Sequence, residues 1–188
     1  MASWVKQKKI MSGCSGVTGS IGICGCPVGE PGIIYPTWEE ICKMESGATL
    51  KDWVEDGIRC VIKRGPASLC AYLGVPVGHP LANNEAENLP LRVHGGLTFG
   101  KEGDGKYFPT GFYWYGWDYA HSGDYVFYYD EPPLSSKITH ASDKKWLLQE
   151  VEQEVKSTVY DFKKLMELAE KSAKHLWIDM SEIKSENS

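Results

Sequence analysis

Four side chains have the types and spacing for acid–base or metal chemistry: His94, Asp118, His121 and Asp124. An imidazole changes charge near neutral pH, and a carboxylate beside it fixes its tautomer. Such a set can therefore move protons or hold a divalent cation. His94 stands in Val93-His94-Gly95-Gly96-Leu97-Thr98-Phe99-Gly100, and the other three in Trp117-Asp118-Tyr119-Ala120-His121-Ser122-Gly123-Asp124. Glycines let the backbone bend sharply and aromatic rings exclude water, which is a common way to write a pocket. On a regular strand Asp118 and Asp124 share a face while His121 points away. A turn through Ala120-His121-Ser122-Gly123 must bring that ring round, and His94 must arrive from a neighbouring segment. Assembled, the four are the catalytic candidates if the protein is an enzyme. Each also has an ordinary role open to it: Asp118 capping a turn, Asp124 accepting backbone N–H groups after Gly123, His121 bonding a carbonyl.

The surroundings favour binding over turnover. The residues expected to contact a ligand are His94, Gly95, Gly96, Thr98, Trp117, Asp118, His121 and Asp124, with Tyr72 and Arg92. Tyr72, Phe99, Tyr107, Phe112, Trp114, Tyr115, Trp117, Tyr119 and Tyr125 supply flat faces, of which half are expected to pack in the core instead. Arg59, Arg64 and Arg92 supply charge for phosphate or carboxylate. A small anionic or nucleotide-like ligand suits that mixture. No metal ligands and no cofactor are assigned, because the cysteines show only one close pair, Cys24-x-Cys26, where zinc sites usually repeat such a pair. The Gly-rich stretch from Ser12 to Gly25 lacks the Lys-Ser/Thr ending of a phosphate loop, and no nucleophile elbow, zinc-protease helix or dinucleotide fingerprint occurs. His79, between Gly78 and Pro80, reads as a loop residue.

The elements that would position these groups are those of an α+β domain: an antiparallel sheet of about four to six strands packed against a long C-terminal helix. Residues 1–35 read as a flexible Gly/Ser/Pro-rich arm, 36–178 as the single domain, and 179–188 as a polar tail. Thr37 and Glu40 fit a capping box that starts a helix near Trp38 and runs to about Glu45, and Leu50 to Glu55 adds another helical turn. Strands are expected at Ile58–Arg64 and Leu69–Val75 as a hairpin, then at Leu91–Phe99 through Gly95-Gly96, Gly111–Tyr119 and Tyr125–Tyr129. From Asp143 to about His175, capped by Ser142, the apolar residues Leu148, Val151, Val155, Thr158, Phe162, Leu165 and Ala169 recur at steps of three and four. About thirty such residues span about 45 Å. That exceeds a small sheet and leaves the far half free for pairing with a second copy.

The net charge of −5 excludes a global pull toward DNA, RNA or anionic membrane. No apolar run is long enough for a transmembrane helix. Gly, Ser and Thr interrupt the mildly apolar segment after Lys9, so a secretory signal is not expected. The expected setting is the cell interior, with the six cysteines as free thiols.

The joint pattern Leu69-Cys70-Ala71-Tyr72-Leu73-Gly74-Val75-Pro76, Gly78-His79-Pro80-Leu81, Val93 to Phe99 and Gly116 to Asp124 resembles a family of small proteins encoded by phages and prophages. It covers about Arg59 to Asp124 and the following helix, and leaves out the first fifty residues. The resemblance carries no established activity. What it implies is a setting, a phage protein acting in the bacterial cytoplasm. There the first expectation is a binding protein that captures a small nucleotide-like or other anionic ligand, such as a signal of host defence. The alternatives are a hydrolase using the His/Asp set on a phosphorylated or nucleotide substrate, and an inhibitor that binds a host protein.

Overall fold

The computed structural model describes residues 34–130 and 142–186. Most of the expected N-terminal arm, with Cys14, Cys24 and Cys26, lies outside them.

The chain enters through α1 (Trp38–Cys42), where Thr37 accepts from the Glu40 N–H and the Glu40 carboxylate returns the bond to the Thr37 N–H. The box forms as its residue types dictate, but the helix is shorter than the expected Trp38–Glu45. The stretch expected as a further helical turn is instead β1 (Thr49–Glu55), paired with β2 (Ile58–Arg64). The cause is Asp56-Gly57: both residues take positive φ, 50° and 85°, the two-residue hairpin turn whose twist matches paired strands. β2 continues as a hairpin into β3 (Leu69–Pro76), as its sequence predicts.

Beyond β3 the expected Leu91–Phe99 strand does not form. The segment is irregular, and only β4 (Phe99–Glu102) joins the sheet, beside β5 (Phe112–Asp118). Here the glycines act as breakers: Gly95 and Gly96 take φ of 66° and 90°, and Gly96 N–H closes a turn on the Val93 carbonyl. The sheet has five antiparallel strands in the order β1-β2-β3-β5-β4. Tyr125–Tyr129 is not a strand either; a 3-10 turn spans Phe127–Asp130, and Val126 and Phe127 point into the core.

The long helix, α2 (Leu148–Glu186), starts later than expected because residues 143–147 run extended beside Gly123 and Asp124. Its first turn is capped by the Glu150 carboxylate accepting from the Leu147 N–H, not by Ser142. It also continues to Glu186, through most of the expected tail. Leu148, Val151, Val155, Val159 and Phe162 are all 3% exposed or less, so the seam read from their spacing is the face laid on the sheet. No helix among the described residues is long and apolar enough to cross a membrane.

Alternation divides the sheet into two faces. Cys60, Ile62, Ala71, Leu73, Val75, Tyr115 and Trp117 face α2 and the main core. Val61 and Trp114 face the other way, into a smaller cluster with Phe108, edged by Tyr72, Phe99 and Phe112.

Candidate functional site

The turn that the sequence required is present. Asp118, the last residue of β5, accepts from the Ala120 N–H through Oδ1 and starts the bend. The Asp124 N–H then closes on the His121 carbonyl, with Gly123 at φ 90°. The Asp124 carboxylate reaches back to accept from the His121 N–H at 2.8 Å. Both aspartates thus do the local work that short polar side chains do in turns, and that work carries His121 to the same side as Asp124.

His94 arrives from the turn at Gly95-Gly96. Its Nε2 lies 2.7 Å from Asp124 Oδ2, and its backbone N–H donates to Glu154 of α2 at 3.0 Å. The ring stacks on Tyr119, with centroids 5.0 Å apart at 7°, and meets His121 and Trp146 edge-on. Trp146 Nε1 donates to Asp124 Oδ1 at 2.7 Å. Asp124 is thus 6% exposed yet receives a ring nitrogen, an indole and a backbone amide. Burial pushes its carboxyl up, but the bonds from His94, Trp146 and the His121 N–H together outweigh it and leave the group below the ordinary range.

His121 owes its place to Gly95. A Cβ at Gly95 would lie 2.0 Å from the imidazole, so only glycine admits the ring. Once there, His121 Nδ1 is shielded from solvent and has no hydrogen-bond partner. It lies 3.7 Å from Asp124 Oδ2 and 4.0 Å from Asp118 Oδ1, just outside bonding reach of two carboxylates. One ligand atom from each of His94, His121 and Asp124 fits within a 4.8 Å span, the one cluster of three possible metal ligands among the described residues.

The remaining expected site residues fall elsewhere. Trp117 is 1% exposed, with its Nε1 bonded to the Tyr119 hydroxyl, so its ring is core, not a ligand wall. Tyr72 belongs to the opposite face of the sheet, edge-on to Phe99 and Phe108. Strand parity separates it from the histidines. Thr98 is exposed and uses its N–H to join Gly116 of β5. Arg92 is exposed two residues before His94. Arg59 is engaged by Asp52 through two bonds, and Arg64 lies over Phe127 while donating to the Gly65 and Pro66 carbonyls. Arg59 is thus neutralised by a carboxylate, whereas Arg64 is 7% exposed with its Nε unpartnered. Of the cysteines, Cys60 and Cys70 are buried thiols, pushed up by burial to about 12 and about 11.

Two members of the site escape a reading of local motifs. Glu154 sits on α2 among other acids and lysines, and only the register of the helix against the sheet turns it toward the His94 N–H and Tyr119. Trp146 lies in the extended run before α2, where nothing in the sequence distinguishes it from an ordinary anchor. Compared with known proteins, the chain matches no family model, no curated protein and no solved structure.

Proposed function

We propose that His94, His121 and Asp124 hold a divalent cation, and that the protein is a metal-assisted hydrolase of a small phosphorylated substrate. The observation that carries the reading is the solvent-shielded, unpartnered Nδ1 of His121, poised beside two carboxylates and the His94–Asp124 pair. Ligand atoms bound at about 2.0–2.2 Å to one cation sit about 3.0–3.5 Å apart. His121 Nδ1 and Asp124 Oδ2 are 3.7 Å apart and the three ligand atoms spread over up to 4.8 Å, so the side chains would draw in on a cation. His94 has to give up its Nε2 proton, which a neutral imidazole does by moving it to Nδ1. Two imidazoles and one carboxylate suit zinc, manganese or iron and leave coordination positions open for water and substrate.

A cation held there would supply Lewis acidity to a water. The water oxygen would form the new bond to phosphorus as the bond to the leaving oxygen breaks, and the proton lost by the water would end on that leaving oxygen. Asp118 is the group placed to take the water's proton, being over a third exposed and 4.0 Å from His121 Nδ1. An anionic substrate is favoured by the cation itself, with Arg92 exposed nearby in the chain.

The test is to strip the protein with chelator, titrate zinc, manganese and cobalt by calorimetry, and then offer phosphomonoesters and nucleotides, assaying for free phosphate. Saturable cation binding that His121→Ala abolishes, with turnover lowered at least about a hundredfold, is the expected result. Failure of all three cations to bind overturns the reading. Tight retention of an intact nucleotide without product would instead make this a capture protein.

A further inference from the structure

Among the described residues, Lys63 is a buried cation with no carboxylate in direct contact. It lies on β2, on the face of the sheet turned away from α2, and is 8% exposed. Its ammonium donates to the Gly47 carbonyl at 3.3 Å and Thr49 Oγ1 at 3.1 Å, both neutral oxygens, and lies 5.0 Å over the Phe108 ring. An ammonium has three N–H donors, so one remains. A lysine this deep is normally paired with a carboxylate, because a buried charge without one is costly. The two carboxylates whose charge acts on Lys63, Asp52 and Asp104, are committed elsewhere. Asp52 holds Arg59 through two bonds, at 3.1 and 2.9 Å. Asp104 accepts from the N–H groups of Lys106, Tyr107 and Phe108 and from Lys101.

The ammonium borders a hollow of about 320 Å³ between β1 and the 105–109 loop. That volume sits at the small end of ligand pockets. Thr49, Gly47 and Asp52, whose carboxylate Arg59 holds, line one side. Lys106 stands exposed at the rim with its ammonium 4.9 Å over one face of the Tyr107 ring, and Tyr107 itself is 54% exposed.

We propose that this hollow is a second binding site, a receptor for a small phosphomonoester whose phosphate meets Lys63 and whose flat body lies against Tyr107. The phosphate supplies the direct ionic contact that neither Asp52 nor Asp104 makes with Lys63, and takes its third N–H. Lysine binds phosphate as a point charge and needs no bidentate geometry. Lys106 adds a second positive charge and Thr49 a hydroxyl. The inference is independent of the cation site, which lies around Tyr119 and Trp146 on the α2 side of the sheet.

The experiment uses the full chain after chelator treatment, so that no cation contributes. Inorganic phosphate and phenyl phosphate are titrated in turn and followed by calorimetry and by the phosphorus resonance. Both are expected to saturate, phenyl phosphate more tightly because its ring can stack on Tyr107. Lys63→Met is expected to weaken binding at least about tenfold, the scale of one lost charge-assisted hydrogen bond. Lys106→Ala should weaken it less, and His94→Ala should leave it unchanged. No saturable binding of either probe, or undiminished binding by a folded Lys63→Met, overturns the proposal. Should Lys63→Met fail to fold, the wild-type Lys63 side-chain resonances decide: a shift that saturates with phenyl phosphate supports the site, and its absence removes it.

Discussion

Gly95 is the residue on which the cluster turns. Any side chain there would occupy the space of the His121 ring, and its φ of 66° disfavours other residues independently. Gly95→Ala is therefore expected to expel the imidazole rather than merely strain the loop. The destabilisation should be modest, about 1–3 kcal/mol in a urea titration, since the ring can swing toward solvent. Cation binding should fall much further, as far as in His121→Ala. If Gly95→Ala binds cations like the wild type, His121 is not a ligand. Asp124→Asn separates two roles at the next position. It keeps the shape but removes the charge, so the His94 tautomer is no longer fixed, and the ring-nitrogen resonances that report the Nδ1–H and Nε2–H forms should change. Unaltered ring-nitrogen resonances would show that the 2.7 Å contact does not govern that ring.

At the scale of elements, the periodic parts were legible and the punctuated parts were not. The α2 seam, the β2–β3 hairpin and β5 each carry their burial pattern in residue types, because one face must be apolar at a period of 3.6 or 2. Thr49–Glu55 is a strand where Leu50 to Glu55 is expected to be a helical turn, because the two-residue turn at Asp56-Gly57 folds it onto β2. The Leu91–Phe99 run departs in the opposite sense: its apolar residues are spaced like a strand, but Gly95-Gly96 breaks it. Within the site, His121 and Asp124 could be placed once a turn was required. Glu154 and Trp146 could not, since their positions depend on how α2 docks, a long-range fact with no local signature. Phe162 tests that docking. It is fully buried in the seam and packs edge-on to Tyr115, so Phe162→Ala should cost about 3–5 kcal/mol in denaturant unfolding. A loss well below 1 kcal/mol would mean that the middle of α2 does not lie on the sheet.

Taken as a whole, the molecule is a sheet clasped to a helix by apolar contact and by two buried carboxylates. Asp124 joins the β5 turn to Trp146 just ahead of α2. Glu152, 3% exposed on α2 itself, is met by Lys51 of β1, by Lys156 and by the Tyr35 hydroxyl. For both, burial alone would raise the carboxyl, but the donors outweigh it and hold the group below the ordinary range. A carboxylate depressed in the folded state binds fewer protons folded than unfolded. Its contribution to stability is present above its unfolded value, about 4, and is lost as the pH falls through the folded one. Acid should therefore release α2 from the sheet, the two anchors failing in the same direction. Urea midpoints measured from about pH 6 down to pH 2 should fall, and the fall should be shallower in an Asp124→Asn, Glu152→Gln double variant. The double variant should also be less stable at neutral pH, because Lys51 and Lys156 lose their countercharge. An acid limb as steep as that of the wild type would place the acid sensitivity in other carboxylates and leave the clasp as packing alone.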